Sequence, residues 1–445
     1  MKSGNVLLIN TLTGAMDILE KREYEDIKSG NYNGKDIVDL KKRGYLLNDK
    51  EYEKHLFLSF KKYSPTYNDS LKKKLTFIFC PTYGCNLRCT YCAQGHERHS
   101  DDKVMTKDQV NKAFESIENS FMKQFKKNDY GLVLFGGEPL QAKTYNIVEY
   151  ILKKAKEKGT NVNIITNAIE IRNFEVLLSQ YKDILTFQIT LDGDKYSHDK
   201  RRITQNNKGT FDIITNNIEF MLERGYRITV RINVDVENAK TLKYLLDSAE
   251  ICKWSTMNNF KMNLAPVTNH GGNSIPCANT SEYRVLNALI ENFPDVMEYI
   301  STRPITITPD MFRVVGHLNR IVNPKIAELK NSYPTTNYCE ATYLSTVAVG
   351  PDGKIYACSE SVGQDKYAIG TYYPKYDLDI ELAEQFNNRS IFEIKSCKNC
   401  NISTLCGGGC PFAALKSSGR ADSPYCGVTK KVINDYLKDN FYNKY

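Results

Sequence analysis

Cys85, Cys89 and Cys92 stand in the segment Cys85-Asn86-Leu87-Arg88-Cys89-Thr90-Tyr91-Cys92, with three and then two residues between them. A four-iron cluster normally takes four thiolates. This loop offers three, so a cube bound here keeps one iron open to a small molecule, and an open metal position marks a catalytic rather than a structural site. Two other readings of the same residues are possible. A fourth protein ligand would complete an electron-transfer cluster, and His96 or His99 would complete a zinc site. A second array lies near the C-terminus. There Cys339 and Cys358 flank Gly350-Pro351-Asp352-Gly353, and Cys397-x2-Cys400-x5-Cys406-x3-Cys410 and Cys426 follow. One pair of this kind reads as a zinc ribbon.

The compartment explains why these thiols need a purpose. Val6-Leu7-Leu8-Ile9 is too short for a signal peptide, and no apolar run approaches the ~18 residues of a membrane span. A cytoplasmic protein without membrane association is expected, where disulfides are rare. Ten of the 13 cysteines are clustered, and clustered cytosolic thiols usually bind metal. Cys80, Cys252 and Cys277 stand alone and read as small buried hydrophobes. The chain of 445 residues is 41% hydrophobic and 25% charged, enough for two or three ordinary cores. Its net charge of +8 comes from 60 basic and 52 acidic residues. That mild, dispersed excess predicts no nucleic-acid partner.

The elements that must position the thiols show as alternating patterns. Strands are predicted at Leu75–Cys80, Leu132–Phe135, Val162–Thr166, Thr186–Leu191, Ile228–Val234 and Phe260–Leu264. Helices are predicted between them at Lys107–Lys123, Tyr145–Lys158, Phe211–Arg224 and Ala239–Cys252. Six β/α repeats make an α/β fold, a partial (β/α)6 barrel over residues 71–270, with functional loops at the C-terminal ends of its strands. Residues 1–70 read as a winged-helix-like module. It comprises a hairpin turning at Thr13-Gly14, helices at Glu20–Lys28 and Asp36–Lys42, and a strand Tyr45–Leu47. A proline-punctuated helical bridge is expected over 271–335. In 336–445, strands Ser345–Val349 and Lys354–Ala357 flank a tight turn, with little helical periodicity before Lys430. Such a region should be held together by metal sites rather than by a large core.

The Cys-x3-Cys-x2-Cys spacing, with Tyr91 just before the third cysteine, resembles the signature of the radical S-adenosylmethionine superfamily. The resemblance implies a [4Fe-4S] cluster on Cys85, Cys89 and Cys92, its open iron chelated by S-adenosylmethionine. Reductive cleavage of that cofactor would yield a 5′-deoxyadenosyl radical. Gly136-Gly137-Glu138-Pro139 resembles the family's turn that receives the cofactor's amino group. Thr166-Asn167 is similar to the strand end that holds its ribose. Thr190-Leu191-Asp192-Gly193, His198-Asp199 and Arg201-Arg202 resemble the fourth-strand segment, with Arg202 paired to the cofactor carboxylate. The seven C-terminal cysteines resemble a SPASM domain with two auxiliary [4Fe-4S] clusters, making three in all. By that resemblance Cys397, Cys400, Cys406 and Cys426 hold the complete second auxiliary cluster. Cys339, Cys358 and Cys410 hold the first, whose fourth ligand is either Cys277 or a substrate thiolate.

SPASM enzymes modify peptides and proteins. Sulfatase maturases among them carry an aspartate directly after the second SPASM cysteine, where this chain has Ser359. Asn10, Gly14 and Asp39-Leu40 to Arg43-Gly44-Tyr45-Leu46-Leu47 loosely resemble leader-gripping modules, which bind an extended leader as an added strand. The resemblance therefore implies a maturase of ribosomal precursor peptides that forms a thioether cross-link. It would be served by a leader-bearing peptide and an electron donor such as flavodoxin or ferredoxin. Alternative products are a carbon–carbon cross-link, an epimerised residue or a decarboxylated tail. A sulfatase maturase and a zinc-bearing peptide-binding adaptor are the other readings.

Overall fold

The first strands, β1 (Val6–Ile9) and β2 (Met16–Leu19), form an antiparallel hairpin with Val6 opposite Leu19. The computed structural model describes residues 4–31, 34–47, 56–57, 59–61, 73–95, 102–267, 281–307, 312–315, 318, 334–427 and 429–442. Asn10 organises the hairpin turn. Its Oδ1 accepts from the Leu12 and Thr13 amides, and its Nδ2 donates to the Gly44 carbonyl at 2.7 Å. Helix α1 (Lys21–Ser29) starts with a Glu20–Glu23 capping box and stops at Gly30, whose φ of 78° suits glycine. Helix α2 (Gly34–Lys42) follows. The strand expected at Tyr45–Leu47 does not form. The Tyr45 amide donates back to the Leu40 carbonyl at 2.8 Å, so this stretch closes the end of α2 instead of pairing.

Alternating apolar residues next build a parallel sheet of β3 (Lys74–Phe79), β4 (Asp129–Leu134), β5 (Val162–Thr166), β6 (Leu185–Thr190), β7 (Ile228–Val234) and β8 (Phe260–Pro266). The expected strands correspond to these six with small shifts at their ends. Crossover helices include α3 (Lys107–Ser116), α4 (Tyr145–Glu157) and α5 (Phe211–Glu223). Their apolar faces and the strands share one core, in which Phe77, Phe79 and Phe114 pack with ring centroids 4.5–5.8 Å apart. Thr106 and Gln109 cap α3 reciprocally.

The helix expected over Ala239–Cys252 is broken into Val236–Ala239, Leu242–Leu246 and Ala249–Trp254. Side chains that compete for backbone amides explain the breaks. Asp235 caps the first piece, and Ser248 accepts from the Ile251 amide to restart the third.

The sheet runs past the six strands at both edges. Strand β9 (Ile305–Ile307) pairs in parallel with β8, so the described part of 271–335 is not merely a helical bridge. On the other side β10 (Thr346–Val349) pairs in parallel with β3, joining Thr346 to Thr76 and Val349 to Phe79. Strands β11 (Lys354–Tyr356), β12 (Gly370–Thr371) and β13 (Asp377–Leu378) then add antiparallel, giving an 11-stranded sheet. Helices α6 (Ile380–Asn387) and α7 (Pro411–Ser418) stand where little helical pattern was expected. Ile355, Tyr372, Phe386 and Phe412 belong to the same core as the barrel, so the C-terminal region does have a hydrophobic core. Cys80 is buried as expected of a lone cysteine, Cys252 is exposed, and Cys277 lies outside the described residues.

Phe77 is fully buried at the centre of β3. Phe77→Ala is expected to destabilise the chain by about 3–5 kcal/mol. The midpoint of denaturant unfolding, followed by far-ultraviolet circular dichroism, measures this.

Candidate functional site

The cysteine loop leaves the C-terminal end of β3 and is tied down along its length. The Arg88 and Thr90 amides donate to the carbonyls of Ile203 and Arg201, and Leu87 bridges to Thr204. Cys85 and Cys89 are buried and Cys92 is partly exposed. Burial raises the Cys85 thiol, with Glu138 and Cys89 adding to it. Burial also raises Cys89 to about 11 against the opposing charge of Arg202. Thiols held this way are poor free nucleophiles but become thiolates when a metal takes their proton's place.

The Gly136-Gly137 turn, at the end of β4, packs directly on this loop. The Gly137 amide donates to the Thr82 carbonyl and the Glu138 amide to that of Gly84. A Cβ on Gly137 would lie 2.1 Å from the Gly84 oxygen and 2.4 Å from that of Tyr83. The glycines thus let backbone approach backbone. Glu138 is buried and pins two strand ends together. Its Oε1 accepts from the Leu140 amide and Thr166 Oγ1, and its Oε2 from the Asn167 amide. Burial lifts its pKa to about 7, opposed by those three donors. The Pro139 carbonyl accepts from Thr144 Oγ1. Asn167 Nδ2 donates to Asn86 Oδ1 at 2.7 Å, coupling the end of β5 to the cysteine loop.

Tyr91 joins the loop to β6 and β7. Its hydroxyl donates to Asp192 Oδ2 and accepts from Arg202 Nη1 at 2.8 Å and Asn233 Nδ2 at 3.2 Å. Burial opposes the Arg202 charge, while Cys89, Tyr91 and Asp192 more than restore it. The neighbouring groups have structural partners. Arg201 pairs with Asp235 at 2.6 Å, Asp199 accepts from the first amides of α5, and buried His198 bridges the Asp192 amide and Thr210 Oγ1.

Cys85, Cys89, Cys92, Gly136, Gly137, Glu138, Thr166, Asn167 and Arg202 line one cavity of about 340 Å³. Gln94 Nε2 and Arg202 Nε, on side chains that line it, are buried without hydrogen-bond partners among the described residues. Three thiols beside a cavity edged by unsatisfied donors suit a cluster and an anionic or polar ligand. Thr190 and Ser359, both singled out in the sequence, also line the cavity, and sequence reasoning missed Gln188, Arg231, Asn233 and Glu360. A signal existed for Gln188, Arg231 and Asn233, because Gln188/Thr190 and Arg231/Asn233 are polar pairs at the two-residue strand period. None pointed to Glu360.

The other thiols fall into two neighbourhoods. Cys339 is raised to about 12 by burial and then by Cys410, and Cys358 is raised by burial, Glu360, Cys410 and Cys339. Cys397 is raised to about 11 by burial and then by Cys406, Cys400, Arg389 in opposition, and Cys426. His96 and His99 lie outside the described residues. Among the described residues, no three His, Cys, Asp or Glu side chains converge as they would around a single metal ion. A cube spreads its thiolates over separate irons and does not need them to.

A family model described as the Radical SAM superfamily matches residues 79–249, the stretch carrying the cysteine loop, the glycine turn and the ends of β5 and β6. This stretch is a radical SAM domain. The chain is 25% identical over 361 residues to a cysteine-type anaerobic sulfatase-maturating enzyme of Clostridium novyi (strain NT). That alignment covers 76% of this chain and 88% of the relative. The fold is similar to native anSMEcpe with bound AdoMet and Cp18Cys peptide, with a TM-score of 0.55, 20% identity, and 83% and 98% of the two chains covered. It is also similar to Streptococcus suis SuiB bound to precursor peptide SuiA, with a TM-score of 0.53, 15% identity and 94% of each chain covered. No helix among the described residues is long and apolar enough to cross a membrane.

Gly137→Ala is expected to unseat the cysteine loop of the apoprotein. Alkylation of Cys85 and Cys89, followed by mass spectrometry, should accelerate by about tenfold or more as the loop opens. Tyr91→Phe removes three hydrogen bonds of the radical SAM domain and should lower its unfolding free energy by about 1–3 kcal/mol, read from denaturant titration.

Proposed function

We propose that the protein is a radical S-adenosylmethionine maturase that forms a thioether cross-link in a ribosomal precursor peptide. One observation carries this reading. The cavity of the three-cysteine loop extends to Ser359 and Glu360, which directly follow Cys358. A peptide residue seated there lies between the radical source and the first C-terminal thiol set. Cys85, Cys89 and Cys92 hold the [4Fe-4S] cluster, with S-adenosylmethionine against Gly136, Gly137 and Arg202. Bound, the pair supplies a 5′-deoxyadenosyl radical for hydrogen abstraction. Arg202 Nε, buried without a hydrogen-bond partner among the described residues, would pair with the cofactor's carboxylate, while Glu138, Asn167 and Tyr91 hold the strand ends that shape the pocket.

Cys397, Cys400, Cys406 and Cys426 hold one auxiliary cluster. Cys339, Cys358 and Cys410 hold another with a position open to a substrate thiolate. A thioether would form when a peptide C–H gives its hydrogen atom to the 5′-deoxyadenosyl radical, which leaves as 5′-deoxyadenosine, and the S–H gives a proton to solvent and one electron to the clusters as C–S closes. The β1–β2 hairpin is the dock for a leader. Its turn rests on the C-terminal array, where Thr404 Oγ1 donates to the Thr11 carbonyl at 2.6 Å. A strand added to a two-stranded hairpin edge needs no rearrangement. The similar structures support peptide work, since one is bound to a Cp18Cys peptide and another to a precursor peptide.

Glu360 gives the sulfatase-maturase reading its own support. A carboxylate stands in the cavity one residue beyond Ser359, and the Clostridium novyi relative is such a maturase.

Anaerobic reconstitution should load about twelve irons per chain and yield 5′-deoxyadenosine with dithionite. Coexpression with a cysteine-bearing precursor peptide should lower its mass by two hydrogens per cross-link. The Cys85, Cys89 and Cys92 triple alanine variant should leave the peptide unchanged. Conversion of a sulfatase peptide's cysteine to formylglycine, lost in Glu360→Gln, would replace the thioether reading. Stoichiometric zinc without iron would end both.

A further inference from the structure

Arg389 follows α6 and is 1% exposed, among the largest fully buried side chains of the protein. Its guanidinium donates four hydrogen bonds, all to neutral backbone carbonyls. Nε reaches Ala421 at 2.6 Å, Nη1 reaches Gly409 at 2.7 Å, and Nη2 reaches Gly408 at 2.8 Å and Ser423 at 2.9 Å. No carboxylate among the described residues pairs with it. Carbonyls satisfy its protons but not its charge, and a buried charge without a counter-charge is costly.

The four carbonyls sit at particular points of the chain. Gly408 and Gly409 lie between Cys406 and Cys410, where the backbone passes from one thiol set to the other. Ala421 and Ser423 lead to Cys426. The Arg389 carbonyl itself accepts from Asn337 Nδ2 at 2.6 Å, two residues before Cys339. Gly408 and Gly409 both take positive φ, which turns their carbonyls onto the guanidinium. A Cβ on Gly409 would lie 1.8 Å from the Tyr425 oxygen. Burial works against the Arg389 charge, and Cys410, Cys339, Cys397 and Cys406, members of both sets, support it.

We infer that Arg389 is the shared counter-charge of two metal centres, one on Cys339, Cys358 and Cys410 and one on Cys397, Cys400, Cys406 and Cys426, and holds the reduction potentials of both up. This rests on the two-cluster reading of the C-terminal array. A fixed positive charge in a low-dielectric region favours the form carrying the extra electron. One cation between two centres acts on both.

The test is an electron-paramagnetic-resonance redox titration of the full chain, reconstituted anaerobically, with Arg389→Met and Arg389→Lys. In Arg389→Met both auxiliary midpoints should fall by at least a tenfold change in reduction equilibrium, ~59 mV for one electron. The cluster of the Cys85 loop is the internal reference and should not move. Arg389→Lys, which keeps the charge, should stay close to wild type. Full iron with unmoved midpoints in Arg389→Met, or movement of one auxiliary signal alone, overturns the inference. If Arg389→Met takes up no auxiliary iron, Arg389→Lys decides. Retained iron and midpoints support the charge, and loss of iron there too leaves only a hydrogen-bonded clamp. Wild type binding about four irons in all would instead remove the two-cluster reading itself.

Discussion

Four residues of β10, Thr346–Val349, pair in parallel with Thr76–Phe79 of β3, and the placement of both cysteine regions follows from that ladder. The cysteine loop leaves the end of β3. The Gly350–Gly353 turn leaves the end of β10, and β11 then leads to Cys358. Because neighbouring strands lie about 4.8 Å apart, what leaves their ends on the same side is brought into one space. The Cys80 amide extends the ladder by donating to the Val349 carbonyl at 2.8 Å. Hence Ser359 and Glu360, more than 260 residues from Cys92 in sequence, stand in the cavity of the Cys85 loop.

Within that frame the site is built from buried polar groups that hold one another. Glu138 receives three donors from two strand ends, and Tyr91 is shared by Asp192, Arg202 and Asn233. Such networks are costly when incomplete and rigid when satisfied. The donors left over, Gln94 Nε2 and Arg202 Nε, belong to side chains on the cavity wall. Rigidity surrounds a place with unsatisfied donors, which is what binding a reactive ligand in fixed orientation requires. Ligation in the C-terminal array would follow similar rules, with Arg389 beneath the turn that connects its two thiol sets.

Much of this was legible in the chain because short-range pattern carries it. The six central strands announce themselves by alternation, and Val162–Thr166 and Ile228–Val234 have the expected ends. Where local pattern was weak or was overridden, expectation and structure part. Tyr45–Leu47 has strand-like composition but closes a helix, since the nearest acceptor for the Tyr45 amide is the Leu40 carbonyl. The segment Ala239–Cys252 has helical periodicity, but Thr241 Oγ1 donates to the Asn238 carbonyl and Ser248 accepts from the Ile251 amide, and the helix is broken at both. Cys252, apolar in type, is exposed.

The sequence by itself determined the cysteine spacing, the glycine turn and the strand-then-loop order, because these depend on neighbours within a few residues. It also set the polar pairs on β6 and β7, although their shared direction becomes meaningful only once the sheet curves around a cavity. Tertiary structure alone decided that β10 extends the barrel sheet, that Glu360 lines the cavity of the Cys85 loop, and that Arg389 binds the carbonyls of Gly408 and Gly409 between the two C-terminal thiol sets. Each joins residues far apart in the chain through backbone pairing or a buried charge, and no local period records such contacts. The loop at Cys85, Cys89 and Cys92 could be read residue by residue; what shares its cavity could be read only from the fold.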